Sequence, residues 1–357
     1  MSPLEIDGSY GEGGGQLTRL AMALAAVTGR AIRLRNIRAG RPKSGLAAQH
    51  LAAVRAVAAL CGGELEGAAR GATELAFRPG GIRGGDYRFE VGTAGSIALV
   101  LQAALPVALH ADGPCLLTVR GGTDVRLAPP LDYLRYVFLP WLIRLGARVR
   151  LDSVIHGYYP RGGGEVRLSV IPAGPLQPLQ AETPGRLLAM RGRAHVAHLA
   201  SHIPERMAAA ARAELSGLGP LHIETRVLRD GDAVGQGGAL VLAAHTERSL
   251  LGSAVVAERG VPAERLGAAA GRALRTEIEA SVALDLHAAD QLLIYAALAA
   301  GPSRFTMREI SLHARTLMWL ISKFLPVGFE VAECPCGYRI QVVHGRGRHS
   351  AILGDYQ

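Results

Sequence analysis

The chain is 357 residues long, 49% hydrophobic and 19% charged, which at the usual ~150 residues per domain is enough for two packed domains and excludes a largely disordered polymer. Lysine and arginine total 39 against 30 aspartates and glutamates, and the formal net charge of +9 favours an anionic partner such as a nucleotide or a nucleic acid. The cysteines, Cys61, Cys115, Cys334 and Cys336, form neither a C-x-x-C pair nor a secreted disulfide framework, which suits a reducing compartment.

The segment from Met1 to Asp7 has neither the basic nor the apolar region of a signal peptide, so a soluble cytoplasmic protein is expected. Next comes Gly11-Glu12-Gly13-Gly14-Gly15-Gln16, feeding an apolar helical segment that carries Arg19. A glycine-rich turn entering a helix leaves unpaired backbone N–H groups facing outward, which suits a phosphate or a carboxylate. Glu12 offers an acid among those glycines, able to share a divalent metal with a phosphate oxygen. Arg38, Arg41 and Lys43 add three cations within six residues, and Gln49-His50 follow. This combination predicts polyphosphate chemistry. Two familiar phosphate signatures are excluded: Gln16 stands at the sixth place of G-x-G-x-x-G, and Pro42 precedes Lys43-Ser44 where a P-loop requires glycine. On residue types alone, such a turn beside a basic loop is also a common piece of plain structure.

An amphipathic helix, a glycine or proline break and a short strand recur three times: Leu46 to Leu60 before Gly62-Gly63-Glu64-Leu65, Leu131 to Leu145 before Gly146-Ala147-Arg148-Val149, and Ala314 to Leu325 before Gly328-Phe329-Glu330-Val331. Between the first two, Gly95-Ser96 predicts a helix start with Ser96 as a cap or an anion-binding turn. The helix that follows carries Gln102, a polar amide that needs a partner in substrate or backbone. The apolar run Ile97 to Leu109 contains Gln102 and Pro106 and is too short to span a bilayer, so no membrane association is expected. Gly121-Gly122-Thr123-Asp124 and Pro129-Pro130 read as a turn with a proline face. Gly157-Tyr158-Tyr159-Pro160-Arg161-Gly162-Gly163-Gly164-Glu165 then echoes Gly8 to Gln16, with five of nine positions identical. Alternation of helices and strands in comparable units predicts an α+β fold with α/β-type repeats: three βαβ-like copies around a pseudo-threefold axis, helices packed on four-stranded sheets.

The stretch 186–276 breaks this rhythm. It reads as strand (Leu187 to His198), helix (Ile203 to Leu218), strands (Leu221 to Leu228, Ala239 to His245, and near Ala254) and helix (Ala263 to Ile278). The expectation is a small α/β domain inserted between the second and third units, with 1–185 and 277–357 forming the large domain. Asp290-Gln291 then opens a helix after His287, where an acid on the first turn suits the helix dipole. His313 lies where a strand from Arg304 to Met307 gives way to a helix from Ala314 to Phe324, a common place for reactive groups in layered folds.

Several separated segments, in order, resemble the motifs of the RNA 3'-terminal phosphate cyclase family. They are Gly11 to Gln16; Ile37 to Leu46 with Gln49-His50-Leu51; Arg83 to Phe89; Gly92-Thr93-Ala94-Gly95-Ser96; Gly121 to Asp124; His156 to Gly164; Ala289-Asp290-Gln291-Leu292; and Phe324-Leu325-Pro326-Val327. The resemblance covers nearly the whole chain and is weakest within 186–276. It implies a three-unit large domain with a small insert, and an enzyme that uses ATP to convert an RNA 3'-phosphate end into a 2',3'-cyclic phosphate. It implies that His313 is the nucleophile that becomes adenylylated. Gln102 and His287, Ala288, Ala289, Asp290 and Gln291 match the ATP-binding positions, and Pro130 or Pro129 the wall facing adenine. Glu12 matches a metal-associated acid serving Mg2+ or Mn2+, and Arg19, Arg38, Arg41, Gln49 and His50 match phosphate-holding positions. By its charge, Lys43 joins the cations that offset phosphate. His287 departs from the pattern, since some members place a stacking aromatic there; an imidazole can also stack, so the change bears on ATP affinity. The partners implied are ATP and RNA with a 3'-phosphate end, with no obligate protein partner. The main rival is a non-catalytic relative that binds RNA during ribosome assembly, against which Glu12, Asp290-Gln291 and His313 all argue.

Overall fold

In the computed structural model, which describes residues 2–345, three copies of one β-α-β-α-β-β path account for most of the chain. The first runs through β1 (Leu4–Asp7), α1 (Gly15–Thr28), β2 (Ile32–Arg35), α2 (Ala48–Leu60), β3 (Glu64–Glu66) and β4 (Leu75–Arg78). Its sheet has the order β1-β2-β4-β3, with β1 parallel to β2 and the other pairs antiparallel. Alanines such as Ala21, Ala25, Ala53 and Ala56 are fully buried in α1 and α2, and their small side chains let these helices lie close against each other and the sheet. Gly29, at φ 67°, ends α1 in the left-handed conformation, its N–H reaching back to Ala26.

The second copy comprises β5 (Gly85–Glu90), α3 (Ile97–Ala108), β6 (Cys115–Gly121), α4 (Leu131–Tyr133), a π-helical turn at Leu134–Phe138, α5 (Leu139–Arg144), β7 (Arg148–Gly157) and β8 (Gly164–Ile171). The helix expected over Leu131 to Leu145 is thus interrupted. Pro140 follows the π turn, and with no N–H it cannot satisfy the carbonyl four residues earlier in a regular α-helix. In β8 the alternation of buried Val166, Leu168 and Val170 with more exposed neighbours gives the period of two that presents one face to the helices.

The third copy starts with β9 (Gln180–Ala181), and there the chain departs into the irregular stretch. β10 (Leu187–Ala197), α6 (His202–Glu214), β11 (Leu221–Leu228), β12 (Ala233–Val234), β13 (Gly237–Thr246), β14 (Leu250–Val256) and α7 (Ala263–Glu279) follow. Four of these strands make a separate sheet, β11-β10-β13-β14, over a buried cluster of its own that includes Met190, Met207, Leu240, Leu242 and Leu274. The third copy then resumes with α8 (Leu286–Leu298), β15 (Ser303–Met307), α9 (Leu312–Phe324), β16 (Val327–Cys334) and β17 (Gly337–His344), in the sheet order β16-β17-β15-β9.

Two features differ from the sequence expectation. The irregular stretch interrupts the third unit after its first strand instead of standing between units, because β9 is only two residues long and has no hydrophobic pattern to announce it. The middle sheet has five strands, not four: β12 leaves the irregular stretch to pair with β7, placing Ala233 opposite His156. The C-terminal part of the 277–357 stretch, residues 346–357, lies outside the described residues. Among the described residues no helix is long and apolar enough to cross a membrane.

Candidate active site

The glycine turn docks on α9. Tyr10 stacks on Trp319 with centroids 3.8 Å apart, and the Glu12 N–H donates to Thr316 Oγ1 at 3.1 Å. A side chain at Gly11 would collide with that same hydroxyl, and one at Gly15 would occupy the space of the His50 ring, so both positions need glycine. The N-terminus of α1 is thereby held against the N-terminus of α9. The latter is capped by Ser311, whose Oγ accepts from the Ala314 N–H at 2.9 Å and donates to Asp290 Oδ1 at 2.6 Å.

His313 is the second residue of α9. Its Nδ1 meets Gln16 Oε1 at 2.9 Å, and Glu12 Oε2 lies 3.7 Å away. Burial holds its pKa below the ordinary histidine value, and Arg19, Arg41 and His287 push the same way. The positive end of α9 acts in the same sense. An amide oxygen is an acceptor, so the proton of the neutral ring sits on Nδ1 and the lone pair on Nε2. With 46% of the side chain exposed, that ring is accessible.

Around it the charge is mainly positive. Arg19 is buried, 5% exposed, its Nε has no hydrogen-bond partner among the described residues, and burial brings its pKa down to about 10. His50 is pushed down to about 3 by burial and by Arg19, Arg38 and Arg41, and its Nδ1 has no partner either. A buried guanidinium and imidazole left short of partners are costly unless an acceptor-rich anion joins them. Arg38, at φ 56°, donates from Nη1 to the Gly45 carbonyl at 2.7 Å, which fixes the loop. Arg41 forms an ion pair with Glu12. Lys43 stands exposed on the same loop, and among the described residues no hydrogen bond or ion pair joins it to the cluster. Gln49 has a partner within the fold: its Oε1 accepts from the Ser96 N–H at 2.9 Å, tying the start of α2 to the start of α3. The N-termini of α1, α2, α3 and α9 therefore converge, and their dipoles add to the arginines.

Asp290 is not on the first turn of its helix. Helix α8 begins at Leu286 and is capped by Asp285, whose carboxylate accepts from the His287 and Ala288 N–H groups, both at 3.0 Å, from Gly252 N–H at 2.8 Å and from the Tyr133 hydroxyl at 2.6 Å. Asp290 sits one turn later, buried, with its pKa raised to about 7 by burial. Gln102 bonds to a side chain within the fold: its Nε2 donates to Gln291 Oε1 at 2.9 Å, and Gln291 Nε2 donates to the His287 carbonyl at 3.0 Å. Ala288 and Ala289 are buried and contribute backbone only. Pro130 is buried at the start of α4, and the Tyr133 ring one turn on faces exposed His287 edge-on, with centroids 6.2 Å apart. This wall joins the cationic cluster through the Ser311–Asp290 bond.

Sequence reasoning gave no individual role to Gln16, Tyr133, Asp285 or Ser311. Asp285 and Ser311 carried a usable signal, a capping residue directly before an apolar helical run. Gln16 carried none, because its partner is 297 residues away.

The donor set suits the groups the sequence implied. A polyphosphate fits the unpartnered Arg19 and His50 atoms. The Glu12 carboxylate, 11% exposed beside that cluster, suits a magnesium-type ion that takes one protein carboxylate and completes its shell with phosphate oxygens and water.

Residues 10–331 match the family model described as RNA 3'-terminal phosphate cyclase. A protein of that name from Nitrosospira multiformis is 55% identical over 329 residues, covering 92% of this chain and 93% of the relative. Another from Pyrobaculum neutrophilum is 42% identical over 340 residues, covering 95% and 98% of the two chains. A third, from Methylococcus capsulatus, is 45% identical over 355 residues, covering 97% of each.

Proposed function

The chain belongs to the RNA 3'-terminal phosphate cyclase family, and from that premise we propose that it closes RNA 3'-phosphate ends to 2',3'-cyclic phosphodiesters at the expense of ATP, through AMP held covalently on His313. The observation that carries this reading is the setting of His313: its Nδ1 lies 2.9 Å from Gln16 Oε1, burial, Arg19 and Arg41 hold its pKa below the ordinary histidine value, and among the described residues no hydrogen bond engages its Nε2.

His313 Nε2 attacks the α-phosphorus of ATP and pyrophosphate leaves. A neutral imidazole needs no prior deprotonation for this, so the adjacent cations aid the reaction by offsetting phosphate charge instead of by activating the nucleophile. Arg19, Arg38 and Arg41 hold phosphate oxygens, with planar forks that match them. Pro130 and His287 flank adenine, while Gln102, Gln291 and the Asp285-capped start of α8 fix that wall. A divalent Mg2+ or Mn2+ at Glu12 would supply further charge neutralisation on the phosphates. Gln16, by retaining the Nδ1 proton, also steadies the ring once Nε2 carries AMP. Transfer of AMP to the RNA 3'-phosphate turns a poor leaving oxygen into AMP. The vicinal 2'-OH then attacks the terminal phosphorus, closes the ring and releases AMP. That step requires a ribose end and gains from being intramolecular.

The test is incubation with α-labelled ATP and Mg2+ or Mn2+. Wild-type chain should acquire an acid-labile label, and His313→Ala should lose it by on the order of 10^4-fold or more while keeping its fold. A wild-type chain that takes no label with either metal, yet binds RNA, would replace this reading with an RNA-binding role.

A further inference from the structure

A second histidine cluster lies where the irregular stretch meets the middle sheet. Asp124 follows β6, His156 is the penultimate residue of β7, and His195 lies on β10; they are 4%, 7% and 1% exposed. One ligand-type atom from each falls within 4.8 Å of the others. His156 Nδ1 is 3.0 Å and His195 Nε2 3.5 Å from Asp124 Oδ2. Ligands at ~2.1 Å around a tetrahedral zinc sit about 3.4 Å apart, so each imidazole stands close to that spacing from the carboxylate.

Hydrogen bonding alone does not satisfy this group. Among the described residues neither ring nitrogen of buried His195 has a hydrogen-bond partner, nor has Asp124 Oδ1. Neighbouring Asp132 has Arg135 and Arg193 as partners at 3.2 and 3.3 Å, so the cationic side chains nearby are already committed to it. Among the described residues Asp124 has the two imidazoles and the Thr123 hydroxyl, which donates to Oδ2 at 2.8 Å. Such a hydroxyl is the kind of supporting contact that orients a ligating carboxylate. Asp124 also lines a cleft of about 1880 Å³, shared with Tyr158, Arg161, His198 and Asp230, which gives an entry path.

We propose that Asp124, His156 and His195 bind one divalent transition-metal ion, zinc being the best match to two imidazoles and a carboxylate, and that this ion pins β10 of the irregular stretch to the β6 and β7 region. The ion is structural, separate from the one placed at Glu12, and the inference does not rest on the role of His313.

Full-length chain stripped with chelator is reloaded with Zn2+ or Co2+ and dialysed, and its metal content, cobalt absorption and Tm are measured. One equivalent should be retained, with a d–d spectrum free of thiolate charge transfer and a Tm several degrees above the apo chain. Glu12→Gln should keep that equivalent, whereas His195→Gln and His156→Gln should bind at least ~100-fold more weakly. The proposal fails if wild type retains no ion, or if folded His195→Gln retains the same equivalent. A thiolate band, which would place the ion at Cys334 and Cys336, overturns it too. Should either variant not fold, the wild-type stoichiometry and spectrum decide.

Discussion

His313 and His195 are the same side chain placed in opposite surroundings. His313 is about half exposed, one nitrogen held by an amide, with arginines nearby and a single carboxylate that Arg41 already engages. His195 is buried with both nitrogens unpartnered and carboxylates 3.5 and 3.7 Å away. Cations around an imidazole favour its neutral form and draw phosphate to it; carboxylates around an imidazole favour an added positive charge, whether proton or metal. The first region is built from helix N-termini, which present N–H groups to an anion. The second is built from strands and a turn, which bring rigid side chains from two sheets to one point.

After the loss of His313 itself, the largest change expected within the first region comes from Arg41→Ala. It releases Glu12 and, on the proposed mechanism, removes a phosphate partner, and should lower the adenylylation rate by about 10^2- to 10^3-fold, the scale of losing one preorganised charge-stabilising group. Arg41 is exposed, so Tm should hardly move. Unchanged adenylylation and RNA cyclisation would remove Arg41 from the site.

A smaller effect makes the contrast sharper. Gln16→Glu gives His313 the anionic neighbour that His195 has. In wild type the lowered His313 pKa keeps the ring neutral through neutral pH, so adenylylation should fall only as pH drops below the ordinary histidine range. With a carboxylate on Nδ1 the imidazolium is stabilised, and the acid limb should move up by ~1 pH unit, slowing the reaction near pH 6 while leaving pH 8 almost unchanged. A pH–rate profile that superposes on wild type would show that Nδ1 is not set by Gln16.

The smallest effect concerns stability alone. Asp290 is raised by burial from 3.8 to about 7. The folded chain therefore keeps a proton that the unfolded chain has lost, and this contribution is full below the unfolded value and disappears as pH rises through about 7. Asp290→Asn should leave Tm near pH 4 unchanged and raise it by a few degrees at pH 8, relative to wild type. Glu277, also raised to about 7 by burial, should preserve part of the slope. Parallel Tm–pH curves for variant and wild type would contradict the raised pKa of buried Asp290.

Much of this protein was legible in its sequence because much of it is local. The glycine turn, the Arg38 to Lys43 loop and the helix-break-strand rhythm are written in contiguous residues, and the repeat appeared in the echo of Gly8 to Gln16 by Gly157 to Glu165. Element boundaries were less so. Asp285, not Asp290, starts α8, since a capping carboxylate is recognised by the N–H groups it receives and not by its distance from the next acid. The two-residue β9 carried no pattern, so the point at which the third unit is interrupted could not be read.

By itself, then, the sequence determined which residue types were available for phosphate chemistry and that they recur in repeated α/β units. Only the tertiary structure decided which of them face one another. The bond between Gln16 and His313 spans 297 positions, and the one between Gln102 and Gln291 spans 189. The physical reason is that backbone hydrogen bonding and hydrophobic period act over a few residues, whereas the protonation state of a side chain depends on burial and charges that arrive only when distant helix ends are packed together.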